Sequence, residues 1–258
     1  MNQYKIENIF SVNNKSAVIT GANKGIGREF SFLLARNGVK LALIARNSKE
    51  LDELKNELMK FDVEVYVYSF DLTDFEKIPG LVDDIIKDLN SIDILINNAG
   101  INLAKPIEEV SLDDWDKQID INLKSIFFLT KAVGEVMKLQ TKGKIINISS
   151  QMSAVGYFDR SVYGTSKGGL SQMTKAFAIE WSKYNINVNA MAPTFIETDL
   201  TNKMLENKEF KNDILKRIPL GKLAKKEDLF GTMLLLSSSA SDMITGETIF
   251  VDGGWTVW

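Results

Sequence analysis

The chain of 258 residues contains no histidine and no cysteine. Without histidine there can be no Ser-His-Asp triad, no Cys-His dyad and no imidazole-bound zinc. Without cysteine there are no disulfides, no thiolate nucleophile and no ligands for an iron–sulfur cluster. No metal site is expected. Proline is scarce, with 4 residues, and no proline- or serine-rich linker interrupts the chain. No apolar run approaches the roughly 20 residues that span a bilayer. The lead at 1–14 lacks the charged-then-apolar plan of a secretory signal. Thirty-one basic against 34 acidic side chains leave a net charge of −3, the wrong sign for a nucleic-acid surface. The expectation is a cytoplasmic protein with neither membrane nor nucleic acid as partner. Its chemistry must rest on serine, tyrosine, lysine, asparagine and carboxylates, or on a bound organic cofactor.

What is present is an alternation. Short apolar runs at 16–20, 41–45, 63–70, 92–97, 144–149, 186–191 and 248–251 read as buried strands, several without the polar alternation of a half-exposed one. Helical patterns lie between them, near 25–37, 48–60, 74–90, 112–139, 160–184 and 226–238. This rhythm predicts a single α/β domain over 1–258: a Rossmann-type, doubly wound parallel sheet of about seven strands with helices on both faces. The segment 194–222 breaks the rhythm with Pro193, Pro219 and a run of charges. It reads either as a solvated surface helix or as a flap over a pocket, and the motifs below favour the flap.

After the first strand comes Thr20-Gly21-Ala22-Asn23-Lys24-Gly25-Ile26-Gly27. Glycines between a strand and a helix let backbone N–H groups approach a pyrophosphate at the helix N-terminus. A site for NAD usually carries an acid about 20 residues further on, against the ribose 2′-hydroxyl. Here that stretch is Ala45-Arg46-Asn47, and Lys24 sits in the turn itself. Arginine binds a 2′-phosphate bidentately and lysine adds a point charge, so the expected cofactor is NADP(H). Asp71, ahead of Leu72, could meet the adenine amino group or simply serve the start of the next helix. Asn97-Asn98-Ala99-Gly100 ends the fourth strand in small and amide side chains suited to close packing against the cofactor.

Tyr163 and Lys167 lie one helical turn apart, so they share a helix face. A neighbouring ammonium favours the phenolate and is expected to lower the tyrosine pKa. Ser150 precedes them at the end of a strand. The order of TGxxxGxG, NNAG, Asn122 in a helix, Ser150 and YxxxK resembles the short-chain dehydrogenase/reductase family, as do Asn187-Val188-Asn189-Ala190 and the ending Val251-Asp252-Gly253-Gly254. The resemblance implies a catalytic set of Asn122, Ser150, Tyr163 and Lys167. In it Tyr163 exchanges a proton with the reacting oxygen and Ser150 donates a hydrogen bond to that oxygen. Lys167 lowers the Tyr163 pKa and holds ribose hydroxyls, and Asn122 binds a relay water. It also implies cofactor contacts from Gly21, Asn23, Lys24, Gly25, Ile26, Gly27, Arg46, Asp71, Leu72, Asn98, Ala99, Gly100, Tyr163, Lys167, Pro193, Ile196 and Thr198, and assembly as a homotetramer. The chain departs from the family at Thr194, where glycine is usual. A positive φ there would strain a threonine, so a loop that threonine tolerates is expected.

The resemblance implies a small carbonyl or alcohol as substrate. WSKYNINVNA, RIPLGKL and VDGGWTVW resemble the sugar-acid branch, the gluconate 5-dehydrogenases and 2-deoxy-gluconate 3-dehydrogenases. A carboxylate substrate needs a cation, for which Lys105 and Arg160 are candidates, and Gln151, next to Ser150, is a further candidate contact; the plainer reading of each cation is a solvated surface charge. The alternative is a 3-oxoacyl-acyl-carrier-protein reductase, resembled by APTFIETDLT and ITGETIFVDGG. Ile179 stands where that branch would dock its acidic carrier through a basic residue, and the net charge is acidic. Trp255 and Trp258 read as a docking element rather than a free tail.

Overall fold

The computed structural model describes residues 9–196 and 206–257. Within them β1 (Ser16–Thr20), β2 (Lys40–Ala45), β3 (Val65–Ser69), β4 (Ile94–Asn97), β5 (Gly143–Ile148), β6 (Ile186–Pro193) and β7 (Thr248–Val251) pair in parallel, in the order β3-β2-β1-β4-β5-β6-β7. The helices are α1 (Gly25–Arg36), α2 (Ser48–Leu58), α3 (Ile78–Leu89), α4 (Leu112–Ile119), α5 (Ser125–Gln140), α6 (Ser161–Trp181), α7 (Lys208–Arg217) and α8 (Phe230–Ser237).

Successive strand residues point to opposite faces, and both faces are covered. Ile19, Leu41, Leu43 and Ile96 pack with Phe30 and Leu34 of α1, Leu51 and Leu54 of α2, and Met233 and Leu236 of α8. Val18, Ala42, Ile44 and Leu95 pack on the other side with Ile85 of α3, Val133 of α5, and Phe177 and Trp181 of α6. Every residue of β1 is buried as a result, which is why its sequence shows no alternation. The sheet is the expected doubly wound one. Its order reverses at β1, which lies between β2 and β4. Loops leaving β1 and β4 therefore diverge from a shared crevice at the C-terminal ends of the strands, where ligands of such sheets bind.

Several of the expected helical spans include 3₁₀ or π turns. The pattern at 74–90 opens as a 3₁₀ turn, Phe75–Lys77, and becomes α-helical at Ile78, where Pro79 in the first turn has no N–H to lose. The pattern at 112–139 is broken by a π turn, Asp120–Lys124, in which Ser125 N–H bonds Asp120 O. Within that turn Asn122 is tied to Ile101 of the loop after β4.

The interrupted segment contains α7, whose start is capped by the Asn207 side chain accepting from Glu209 and Phe210 N–H. It is polar except for one stripe. Ile214 is fully buried with Ile218, Leu223 and Trp255, and Tyr157, Phe195 and Phe210 pack around them. Tyr157 also donates to the Asp213 carboxylate at 2.9 Å. Residues 197–205 of the segment read as a flap lie outside the described residues. Trp255, 5% exposed, packs beneath α7 within the same chain, whereas Trp258 lies outside the described residues. Trp255→Ala should lower the unfolding free energy by about 3 kcal/mol, because the surrounding rings cannot close so large a hole. Urea denaturation measures this, and a loss under about 1 kcal/mol would mean that α7 does not depend on its anvil.

Candidate active site

The turn after β1 is shaped by contacts that exclude side chains. A Cβ on Gly27 would run into the Gly21 carbonyl and the Asn98 amide. Gly25 has φ +57 and would meet nothing, leaving open space over the start of α1. That start is bare: Lys24 occupies the N-cap without a side-chain hydrogen bond, and the first turn holds no acid. Free N–H groups, a favourable helix dipole and room above Gly25 together fit a pyrophosphate. Ile26 packs against the core. Asn98 braces the turn itself. Its amide donates to Thr20 O at 3.0 Å and Gly21 O at 3.1 Å, while the Asn98 and Ala99 N–H groups bond Thr20 Oγ1. Its side chain fixes the turn from behind.

At the far side of the turn, Arg46 is largely exposed and approaches Asp71 at 4.0 Å. The Asp71 carboxyl lies below its usual range, chiefly because Thr73 N–H and hydroxyl donate to it, with Arg46 a smaller cause. Leu72 is in the core. Lys24 is exposed. Asn23 donates to the Glu50 carboxylate from α2, a contact between residues far apart in sequence that no motif announces.

Ser150, Tyr163 and Lys167 converge at the end of β5 and the start of α6. Ser150 ends the run after β5, and its hydroxyl accepts from Met152 N–H at 3.2 Å. Lys167 is 4% exposed and donates to Ile148 O at 2.8 Å. Burial pushes its pKa down to about 8. Its ammonium lies 5.8 Å from the centre of the Tyr163 ring. Burial pushes the Tyr163 phenol up, against a hydrogen bond with Ser150 and the charge of Arg160, which pull it down. Desolvation outweighs these attractions, so the phenol stands above its ordinary value rather than below it, as the Tyr-Lys spacing alone suggests.

Asn122 is fully buried within the π turn. Its amide donates to Ile101 O at 2.8 Å and Ser166 Oγ at 3.1 Å, and its oxygen accepts from Ile101 N–H at 2.8 Å. Both amide hydrogens are therefore spent on protein groups. Asn122 draws the loop after β4 onto α6, so that a Cβ on Gly100 would lie 3.1 Å from Asn122 Oδ1 and 3.6 Å from Lys167 Nζ.

An open cleft of about 620 Å³ is lined by Ala104, Tyr157, Phe158, Asp159, Arg160, Asn207, Glu209, Phe210 and Asp213. Arg160, 6% exposed, donates to Asp159 O at 3.1 Å, its Nε has no hydrogen-bond partner, and it forms no ion pair among the described residues. Gln151 is 1% exposed with an unpartnered Oε1. Lys105 is not a free cation: it pairs with Asp114 at 2.7 Å, the acid of the capping box that starts α4. Pro193 ends β6, and Ile196 is buried and bridges Ala224. Thr194 lies outside the positive-φ residues and bonds Val251 O through its N–H, so threonine is tolerated there. Thr198 lies outside the described residues.

Residues 21–256 match a family model described as enoyl-(acyl carrier protein) reductase. The chain is 38% identical to the 2-dehydro-3-deoxy-D-gluconate 5-dehydrogenase of Escherichia coli, covering 95% of this chain and 97% of that one. It is 35% identical to the gluconate 5-dehydrogenase of Gluconobacter oxydans, covering 96% and 97%. A solved gluconate 5-dehydrogenase of Burkholderia cenocepacia, in complex with NADP and tartrate, superposes with a TM-score of 0.94 at 31% identity, covering 97% of this chain and 98% of that one. The chain belongs to the short-chain dehydrogenase/reductase family.

As a short-chain dehydrogenase/reductase it is a nucleotide-binding oxidoreductase acting on CH–OH groups. Among the described residues no helix is long and apolar enough to cross a membrane. Two features of the site escape the family pattern. One is Glu50, legible only as one acid among several in an amphipathic helix. The other is the latch of Tyr157 on Asp213, whose partners are distant in sequence.

Proposed function

We propose that the protein is an NADP(H)-dependent dehydrogenase/reductase that interconverts a secondary alcohol and a ketone on a sugar acid of the ketogluconate type. The bound dinucleotide supplies or accepts the hydride. The bare N-terminus of α1, with Gly21, Gly25 and Gly27, holds its pyrophosphate, and Lys24 and Arg46 face its adenosine ribose. Tyr163 passes a proton to the carbonyl oxygen in reduction and takes it back in oxidation. Ser150 donates a hydrogen bond to the same oxygen as negative charge grows on it. Lys167 supplies positive charge beneath Tyr163, and Asn122 positions Lys167 against the loop after β4. Assembly as a homotetramer belongs to the same reading, and it is supported by Phe127 and Phe128 of α5, 41% and 37% exposed, beside the buried Ile126 and Leu129.

The observation that carries the substrate class is Arg160. A buried guanidinium without a carboxylate partner loses its hydration unless an anion compensates it. Arg160 lines the cleft and acts electrostatically on Tyr163, so a substrate carboxylate seated there lies near the reacting carbonyl. The unpartnered oxygen of Gln151 suits a substrate hydroxyl. NADPH oxidation followed with 5-ketogluconate and with an acetoacetyl thioester separates the readings. Turnover is expected on the keto acid, and Arg160→Leu should raise KM for it by about tenfold or more while leaving NADPH affinity unchanged. Turnover on the thioester alone would make the enzyme an acyl reductase and turn Tyr157, Phe158 and Phe210 into a wall for the acyl chain.

A further inference from the structure

The rim where the turn after β1 faces the end of β2 carries four charges, and they balance. Lys24 and Arg46 are positive; Asp71 lies 4.0 Å from Arg46, and Glu50 accepts from Asn23 inside the turn. Glu50 belongs to the first turn of α2, where its own N–H is held by the Asn47 side chain at 3.2 Å. The α2 dipole favours its negative charge. It is anchored from both ends, by α2 behind and by Asn23 in front, and forms no ion pair among the described residues. A carboxylate so placed repels a 2′-phosphate and accepts from a 2′-hydroxyl, the discrimination that an acid at the end of the second strand performs in NAD sites.

We propose that Glu50, steered by Asn23, is a specificity residue that opposes Lys24 and Arg46 and moderates the preference of this chain for the 2′-phosphorylated dinucleotide. The inference rests on the dinucleotide reading of the turn after β1. It assigns to α2 a task for which the end of β2 carries no acid. The charge acts across the partly exposed rim, so its effect is moderate and screened by salt.

Isothermal titration of the whole protein with 2′,5′-ADP and with 5′-AMP, at low salt, tests the proposal without turnover. Glu50→Gln keeps an oxygen for Asn23 and removes only the charge. It should tighten 2′,5′-ADP by about fivefold and leave 5′-AMP no tighter, and the gain should shrink as salt is raised. Glu50→Ala should shift the ratio of the two affinities in the same direction. An unchanged ratio in both variants, or both ligands changing by one factor, would overturn the assignment and leave Glu50 as a prop for Asn23. If the unsubstituted protein bound neither ligand, the dinucleotide reading itself would fall, and this inference with it.

Discussion

Replacing Tyr163 with phenylalanine should reduce turnover by at least about a thousandfold, toward the upper end of what a positioned general acid contributes. The substitution removes one oxygen and keeps the ring, over which Lys167 Nζ sits at 5.8 Å. The Ser150 hydroxyl still accepts from Met152 N–H at 3.2 Å, so little rearrangement is expected. Dinucleotide affinity, measured by quenching of intrinsic fluorescence, should stay within about twofold, because binding and proton transfer are separate interactions. The combination is diagnostic. Retained binding with lost turnover places Tyr163 on the proton path, whereas an active Phe variant would end the mechanism proposed here.

Lys167→Met should abolish turnover to a similar degree and should also change the pH dependence of both rate and stability. The lysine is held down to about 8 by burial against an ordinary value of 10.5. In the reduction direction the rate should therefore fall as pH rises through about 8, where the ammonium beneath Tyr163 is lost, and the Met variant should lack that limb at its residual rate. For stability, between about 8 and 10.5 the unfolded chain binds a proton that the folded chain does not. This contribution to stability rises with pH across the window, levels off above it and is absent in the Met variant. Urea midpoints of the two proteins across that range measure the difference. Parallel pH profiles would mean that Lys167 is not the group whose burial is felt.

Much of the architecture was legible because its causes are local. β1, β2 and β4 are buried on both faces and so read as largely apolar runs, and Gly21, Gly25 and Gly27 mark a turn that admits no Cβ at its closest approach. Tyr163 and Lys167 share a face through helical spacing alone. The π turn at Asp120–Lys124 was not legible; within it Asn122 reaches back to Ile101 in another loop. The direction of the Tyr163 shift was not legible for a related reason: spacing shows a neighbouring ammonium, but only the packed structure shows how deeply the phenol is desolvated.

The sequence by itself therefore determined the sheet, its helices on both faces, the glycine turn and the order in which serine, tyrosine and lysine reach one end of it. Those features follow from residue size, apolar periodicity and short spacings. The tertiary structure decided which charges and amides remain available. Lys105 is consumed by Asp114, Asn98 by the turn it braces and Asn23 by Glu50, while Arg160 is buried with no ion pair among the described residues. A charge is free or spent according to what lies within a few ångströms, and in a doubly wound fold those neighbours come from loops distant along the chain.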